Sequence, residues 1–186
     1  MQHRNTSRPS VLVAPIVAVL MCMATLYGLA QEGKLVFTAP TEWISEPVQS
    51  PMRQAQFSLQ RADGDAEDAE LVVFYFGGSG GTVEANLQRW ANQMVQPNGQ
   101  TSEEVATTTS FTVNDLPVTL LDVPGTYVAT VRPGSGMRYN KPLFRLKAAV
   151  VETPSGPYFF KIVGPDQTVL AWNDQFTAFL ESVRYE

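Results

Sequence analysis

Glu70-Leu71-Val72-Val73-Phe74-Tyr75-Phe76-Gly77-Gly78-Ser79-Gly80-Gly81-Thr82-Val83-Glu84 is the stretch on which the fold turns. Leu71 to Phe76 is apolar without a break, the pattern of a strand covered on both faces, and it predicts a place near the middle of a sheet. Beyond the glycines the period becomes helical. Val83, Leu87, Trp90, Ala91 and Met94 fall on one face, Thr82 stands where it can cap the first turn, and Pro97-Asn98-Gly99 stops the helix.

Upstream, Lys34 to Thr38 reads as a first strand, followed by Ala39-Pro40 and by Trp43, which is expected to cap the core. Ala55 to Gln60 pairs with Glu70 to Phe76 as a hairpin, with Asp63-Gly64 as the turn signal. Downstream, strands are predicted around Phe111 to Val113, Pro117 to Val123 and Thr126 to Val131, with Asn114-Asp115 turning between the first pair. Phe144 to Glu152 and Tyr158 to Val163 flank the turn residues Thr153-Pro154-Ser155-Gly156-Pro157 and form a second hairpin. Val169, Trp172, Phe176, Phe179, Leu180 and Val183 make the apolar stripe of a last helix, with Asp166 to cap it. The fold class is therefore α+β: a mainly antiparallel sheet of about six to seven strands, one helix after the third strand and a C-terminal helix packed on it.

The amino terminus has a different character. Arg4 and Arg8 precede an uncharged run from Val11 to Ala30, the layout of an export signal, and Gly28-Leu29-Ala30 offers small residues for cleavage after Ala30. An uncleaved anchor is the alternative, since the run is long enough to span a bilayer. Lipid attachment at Cys22 is disfavoured because Met21 stands where a small residue is needed. The domain organisation is thus residues 1–30 as signal or anchor and 31–186 as one domain, exported to the periplasm or the medium or held at the membrane.

Removing residues 1–30 takes two of the 13 basic residues and none of the 18 acidic ones, so the remaining domain carries 11 against 18, a net charge of −7. Nucleic acid is excluded as a partner, because phosphate binding needs a clustered cationic surface. The sole His and sole Cys, His3 and Cys22, both lie in the leader. Hydrolases that use imidazole to activate Ser or Cys are excluded from residues 31–186, as are zinc sites built from His and Cys, and no Ser-x-x-Lys occurs. Only carboxylate-based hydrolysis stays open, and no acid pair is singled out for it. The expectation is a binding protein and not an enzyme.

Three features are candidate sites. Arg132, Arg138, Lys141, Arg145 and Lys147 place five of the 11 basic residues within one short stretch, and Arg132, Arg138, Tyr139, Lys141 and Arg145 are candidates to dock a protein partner or an anionic envelope surface. Gly78, Ser79, Gly80, Gly81 and Thr82, between a strand and a helix start, could hold an anion on free amides, although no Lys-Ser/Thr pair completes a phosphate loop. Asp63, Asp65, Glu67 and Asp68 crowd the hairpin tip and invite calcium, the one cofactor suggested; against it, Asp68 stands where an EF-hand needs glycine and Phe74 where it needs a bidentate glutamate. Each also has an ordinary reading, as a solvated loop, a flexible link and a charged turn that protects a sheet edge. The oligomeric state is left unspecified.

The order of hairpin, central strand, Gly-rich link, helix, antiparallel strands and terminal helix resembles the PsbP-like fold, which takes in the extrinsic PsbP subunit of photosystem II, Mog-type Ran-binding proteins and bacterial envelope proteins such as DcrB. Locally the likeness rests on Phe37-Thr38-Ala39-Pro40 with Trp43, on the helix around Val83 to Met94, and on Tyr158-Phe159-Phe160-Lys161-Ile162. It covers nearly all of residues 31–186 and carries no catalytic signature. It implies a sheet with helices packed on it, acting by docking to partners or as an envelope accessory factor.

Overall fold

A computed structural model describes residues 33–186 except Gln49 and Pro133. The expected signal or anchor lies outside the described residues, and among these no helix is long and apolar enough to cross a membrane.

The first strand, β1 (Leu35–Val36), leads through Trp43 to β2 (Ile44–Ser45) and then to the hairpin β3 (Arg53–Leu59) and β4 (Ala69–Tyr75). Helix α1 (Val83–Ala91) follows, then β5 (Met94–Val95), the short α2 (Ser102–Val105), β6 (Thr107–Val113), β7 (Leu116–Tyr127), β8 (Lys141–Val151) and β9 (Tyr158–Pro165). The chain closes with α3 (Asp166–Ala171), α4 (Asn173–Glu181) and β10 (Arg184–Tyr185). The main sheet is antiparallel in the order β2-β3-β4-β9-β8-β7-β5, with β6 also on β7, while β1 and β10 pair separately.

Alternation along the strands sends side chains to two covered faces. One face gathers Phe57, Leu71, Val73, Ala149, Val151, Phe160 and Ile162 under Val169, Phe176, Phe179 and Leu180 of the terminal helices. Phe179 is its hub, with ring centres 5.0 Å from Trp43, 5.1 Å from Phe37 and 5.5 Å from Phe160. The other face gathers Leu121, Val123, Leu146, Ala148, Val150 and Phe159 under Trp90 and Met94. Because both faces are covered, Leu71, Val72 and Val73 are all buried, as the unbroken apolar run requires.

Several details differ from the sequence expectation. The strands expected at 117–123 and 126–131 are one strand, β7, which passes through Pro124-Gly125 by a register shift rather than a turn. Residues 128–131 leave the sheet and fold back, with Val131 N–H donating to Met137 O. Helix α1 ends before Met94, which belongs to β5. The terminal helix is two helices divided at Trp172, and Asp166 does not cap its start. That role falls to Asp65, whose carboxylate accepts from Thr168 N and Oγ1. Thr82 does cap α1, its Oγ1 accepting from Ala85 N at 3.2 Å, and Asn114 and Asp115 take φ of 45° and 66°, which makes the tight reversal from β6 to β7.

Candidate functional site

Helix α1 packs against β7 and β8 and leaves the β3–β4–β9 part of its face to be covered by the loop between β7 and β8. A cleft of about 290 Å³ remains beneath that loop. Strand alternation supplies its floor: Val72 and Lys161 are opposite one another across β4 and β9, with Glu70 opposite Val163 beside them. Phe74, Tyr127 and Phe144 add aromatic walls, and Thr130, Val131 and Tyr139 close it from the loop. The Tyr127 and Tyr139 rings stack with centres 5.5 Å apart.

Ion pairs stand at the rim. Arg53 Nη1 is 3.3 Å from Glu70 Oε1 and Lys141 Nζ is 2.6 Å from Glu67 Oε2. Asp68 also lines the cleft. Lys161 is different: its Nζ donates to the neutral Gln93 Oε1 at 2.5 Å and sits 5.4 Å from the centre of the Tyr127 ring. Withdrawal from water pushes its pKa down to about 8; Glu70 pulls the other way, and Arg89 and Arg53 add to the depression. Burial also pushes Tyr127 up to about 12, with Tyr139 and Glu70 adding to it.

The sequence candidates are dispersed over this frame. Of the basic stretch, Tyr139 and Lys141 line the cleft, Arg132 and Arg138 are exposed on the loop, and Arg138 Nε donates to Val128 O at 2.7 Å. Arg145 lies on the opposite face of β8, 2.6 Å from Asp122 and 2.8 Å from Asp166. Lys147 joins the same cluster through Asp122 at 3.3 Å and through Asn173. The five residues named for docking therefore do not share one surface.

Nor do the acids of the hairpin tip converge. Asp65 caps α3, Asp68 accepts from Ser58 Oγ and Arg61 N, and Glu67 pairs with Lys141; among the described residues no group of three such side chains could hold a metal ion. In the Gly-rich link, Ser79 Oγ donates to Phe76 O, the Gly80 carbonyl accepts from Asn86 Nδ2, and Gly80 lies so close to the Phe159 ring that a side chain there would collide. The depression beside Gly81 and Thr82 is lined by Glu84 and Glu152, whose charges oppose an anion. Gly78 sits directly over Gly156 across the turn.

Lys161 is a site residue that no motif in the sequence marks as one. Its signal is a single lysine among Tyr158, Phe159, Phe160, Ile162 and Val163 in a strand buried on both faces, where a charge must find a special environment.

No protein-family model matches the chain, and no curated protein matches it. Solved structures do. LpqN of Mycobacterium tuberculosis, described as involved in cell envelope biogenesis, aligns over 86% of this chain and 87% of its own with a TM-score of 0.53 and 12% identity. A protein of unknown function from Pseudomonas aeruginosa, PA94, described as a putative regulator, covers 81% and 96% at a TM-score of 0.46 and 12% identity. Cyanobacterial PsbP (CyanoP) from Synechocystis sp. PCC 6803 covers 88% and 99% at 0.47 and 10% identity. At these identities the likeness is one of fold, shared with LpqN over most of both chains.

Proposed function

We propose that the domain is a non-catalytic accessory protein of the cell envelope that binds a small ligand in the cleft beneath the β7–β8 loop. The observation that carries this reading is the cleft itself: about 290 Å³, with Phe74, Tyr127, Tyr139 and Phe144 as aromatic walls and Arg53, Glu67, Asp68, Glu70, Lys141 and Lys161 as charged lining, a concave site whose polar groups can orient a small ligand. The absence of His and Cys from residues 31–186 speaks for binding over catalysis. The export-type amino terminus, and the shared fold with an envelope protein of M. tuberculosis, support the compartment.

A second reading is docking to a protein or surface partner through Arg132 and Arg138, favoured by their exposure on the loop that roofs the cleft. The first reading is tested by ligand-observed NMR of the full-length chain against a fragment library, followed by mapping of backbone shifts. Hits should move the amides of Tyr127, Tyr139 and Lys161. Hits that all map outside the cleft, or none at millimolar concentration, would remove it. Salt-dependent capture of a partner by the wild type and not by an Arg132→Ala, Arg138→Ala double variant would instead select the second.

A further inference from the structure

The three cations of the cleft are not equivalent. Arg53 and Lys141 are answered by Glu70 at 3.3 Å and Glu67 at 2.6 Å, whereas Lys161, among the described residues, has a neutral acceptor, Gln93 Oε1, and no carboxylate in ion-pair contact. An ammonium can donate three hydrogen bonds, and one of those of Lys161 is used by Gln93. Attraction to an incoming anion is stronger here than at an open surface, because the surroundings screen it less.

Resting on the ligand-binding reading above, we infer that the ligand is a small, singly charged carboxylate with an apolar body, its carboxylate against Lys161 and its body among Phe74, Tyr127 and Tyr139. A single charge follows because Arg53 and Lys141 are already paired with Glu70 and Glu67, which leaves Lys161 to receive one anion, and Asp68 also lines the cleft. The body is apolar because Phe74, Tyr127, Tyr139 and Phe144 line the cleft beside Lys161.

This arrangement ties binding to protons. Lys161 is pushed down to about 8 by burial, with Glu70 opposing and Arg89 and Arg53 adding to the shift; Lys141, Glu67, Asp68, Tyr127 and Tyr139 also line the space it faces. Near neutral pH it is charged and receives the anion directly. Above its midpoint the bare amine must first take up a proton, so affinity should fall about tenfold for each further pH unit.

The test is calorimetry on the full-length chain with benzoate, cinnamate and 2-naphthoate, with their primary amides, and with inorganic phosphate. The carboxylates should bind at least tenfold more tightly than their amides, with proton uptake at about pH 9 revealed by two buffers of different ionisation enthalpy. Lys161→Met should erase the preference; should that variant fail to fold, NMR titration of Nζ in the wild type must show the carboxylate raising the Lys161 midpoint. Equal binding of amides and carboxylates, or an unmoved midpoint, overturns the carboxylate assignment and leaves the cleft as a binding site. Tightest binding by phosphate overturns the single charge. No probe of any kind shifting a cleft resonance overturns both this inference and the reading beneath it.

Discussion

Asp65 and Thr168 meet across 103 residues of sequence, the carboxylate of one accepting from the backbone N–H of the other at 2.9 Å and from its hydroxyl at 2.6 Å. Thr168 Oγ1 in turn accepts from Ala62 N at 3.0 Å. The acidic hairpin tip therefore serves α3 as its N-cap, which Pro165 cannot do with a side chain, and the negative charge stands at the favourable end of the helix dipole.

Asp65→Ala should destabilise the domain by about 1 to 2 kcal/mol, the usual cost of removing a cap. Asp65→Asn, which keeps an acceptor and loses the charge, should cost less. Urea unfolding monitored by tryptophan fluorescence measures both, and equal stability of all three proteins would show that the hairpin tip does not hold the helix.

Phe179 is fully buried and touches rings from four separate segments, Phe37, Trp43, Phe57 and Phe160. Phe179→Ala should cost about 3 to 5 kcal/mol, because the surrounding rings cannot all collapse into the space. Phe74→Ala, at the half-buried cleft wall, should cost clearly less. Parallel denaturation curves rank the two.

Stability should respond to alkali in two opposed steps. The unfolded chain titrates Lys161 near its ordinary 10.5 and the folded chain near 8, so between those values only the unfolded state keeps the proton. Stability from this group is therefore present above the upper value and lost as pH falls through the lower. Tyr127 is displaced from 10 to about 12; its contribution is full below the ordinary value and lost as pH rises through the folded one. Lys161→Met should flatten the rise from about pH 8 to 10, about 1 to 3 kcal/mol in height. Tyr127→Phe should remove the fall beyond it, and a wild-type profile unchanged by either variant would contradict the burial of both groups.

Arg145 binds Asp122 and Asp166 with its own side chain only 16% exposed. Arg145→Ala leaves Asp166 without this partner and Asp122 with Lys147 alone, and should cost about 1 to 3 kcal/mol. Arg132→Ala, on the exposed loop, should change stability by less than about 0.5 kcal/mol. Loss of partner binding in both, at matched folding, would restore Arg145 to the docking surface; loss through unfolding alone marks it as a structural residue.

How far the sequence could be read depends on the distance over which each signal acts. The β3–β4 and β8–β9 hairpins, Thr82 and the stripe through Phe179 were legible, because periodicity and capping act over a few residues. The division of the last helix at Trp172 was not, since the stripe runs on through both pieces; its side chain reaches away to donate from Nε1 to Gln60 O. Helix α2 did have a local signal, the capping box of Thr101 and Glu104. The separation of Arg145 from Lys141 follows from where β8 enters the sheet, and the cleft assembles residues from β3, β4, β7, β8, β9 and two loops. Sequence spacing contains neither fact. What it did contain was one lysine in a doubly covered strand.

The pairing of β1 with β10 carries a consequence for how the domain can be rebuilt. Lys34 N–H donates to Glu186 O and Glu186 N–H donates back to Lys34 O, so the two ends of the described chain lie side by side. In a domain cut back to residues 33–186, a few added residues would splice them into a circle, and the chain could then be opened in the exposed turn at Asn98-Gly99. Such a permutant would start and finish far from Lys34 and Glu186 while keeping every strand of the main sheet intact.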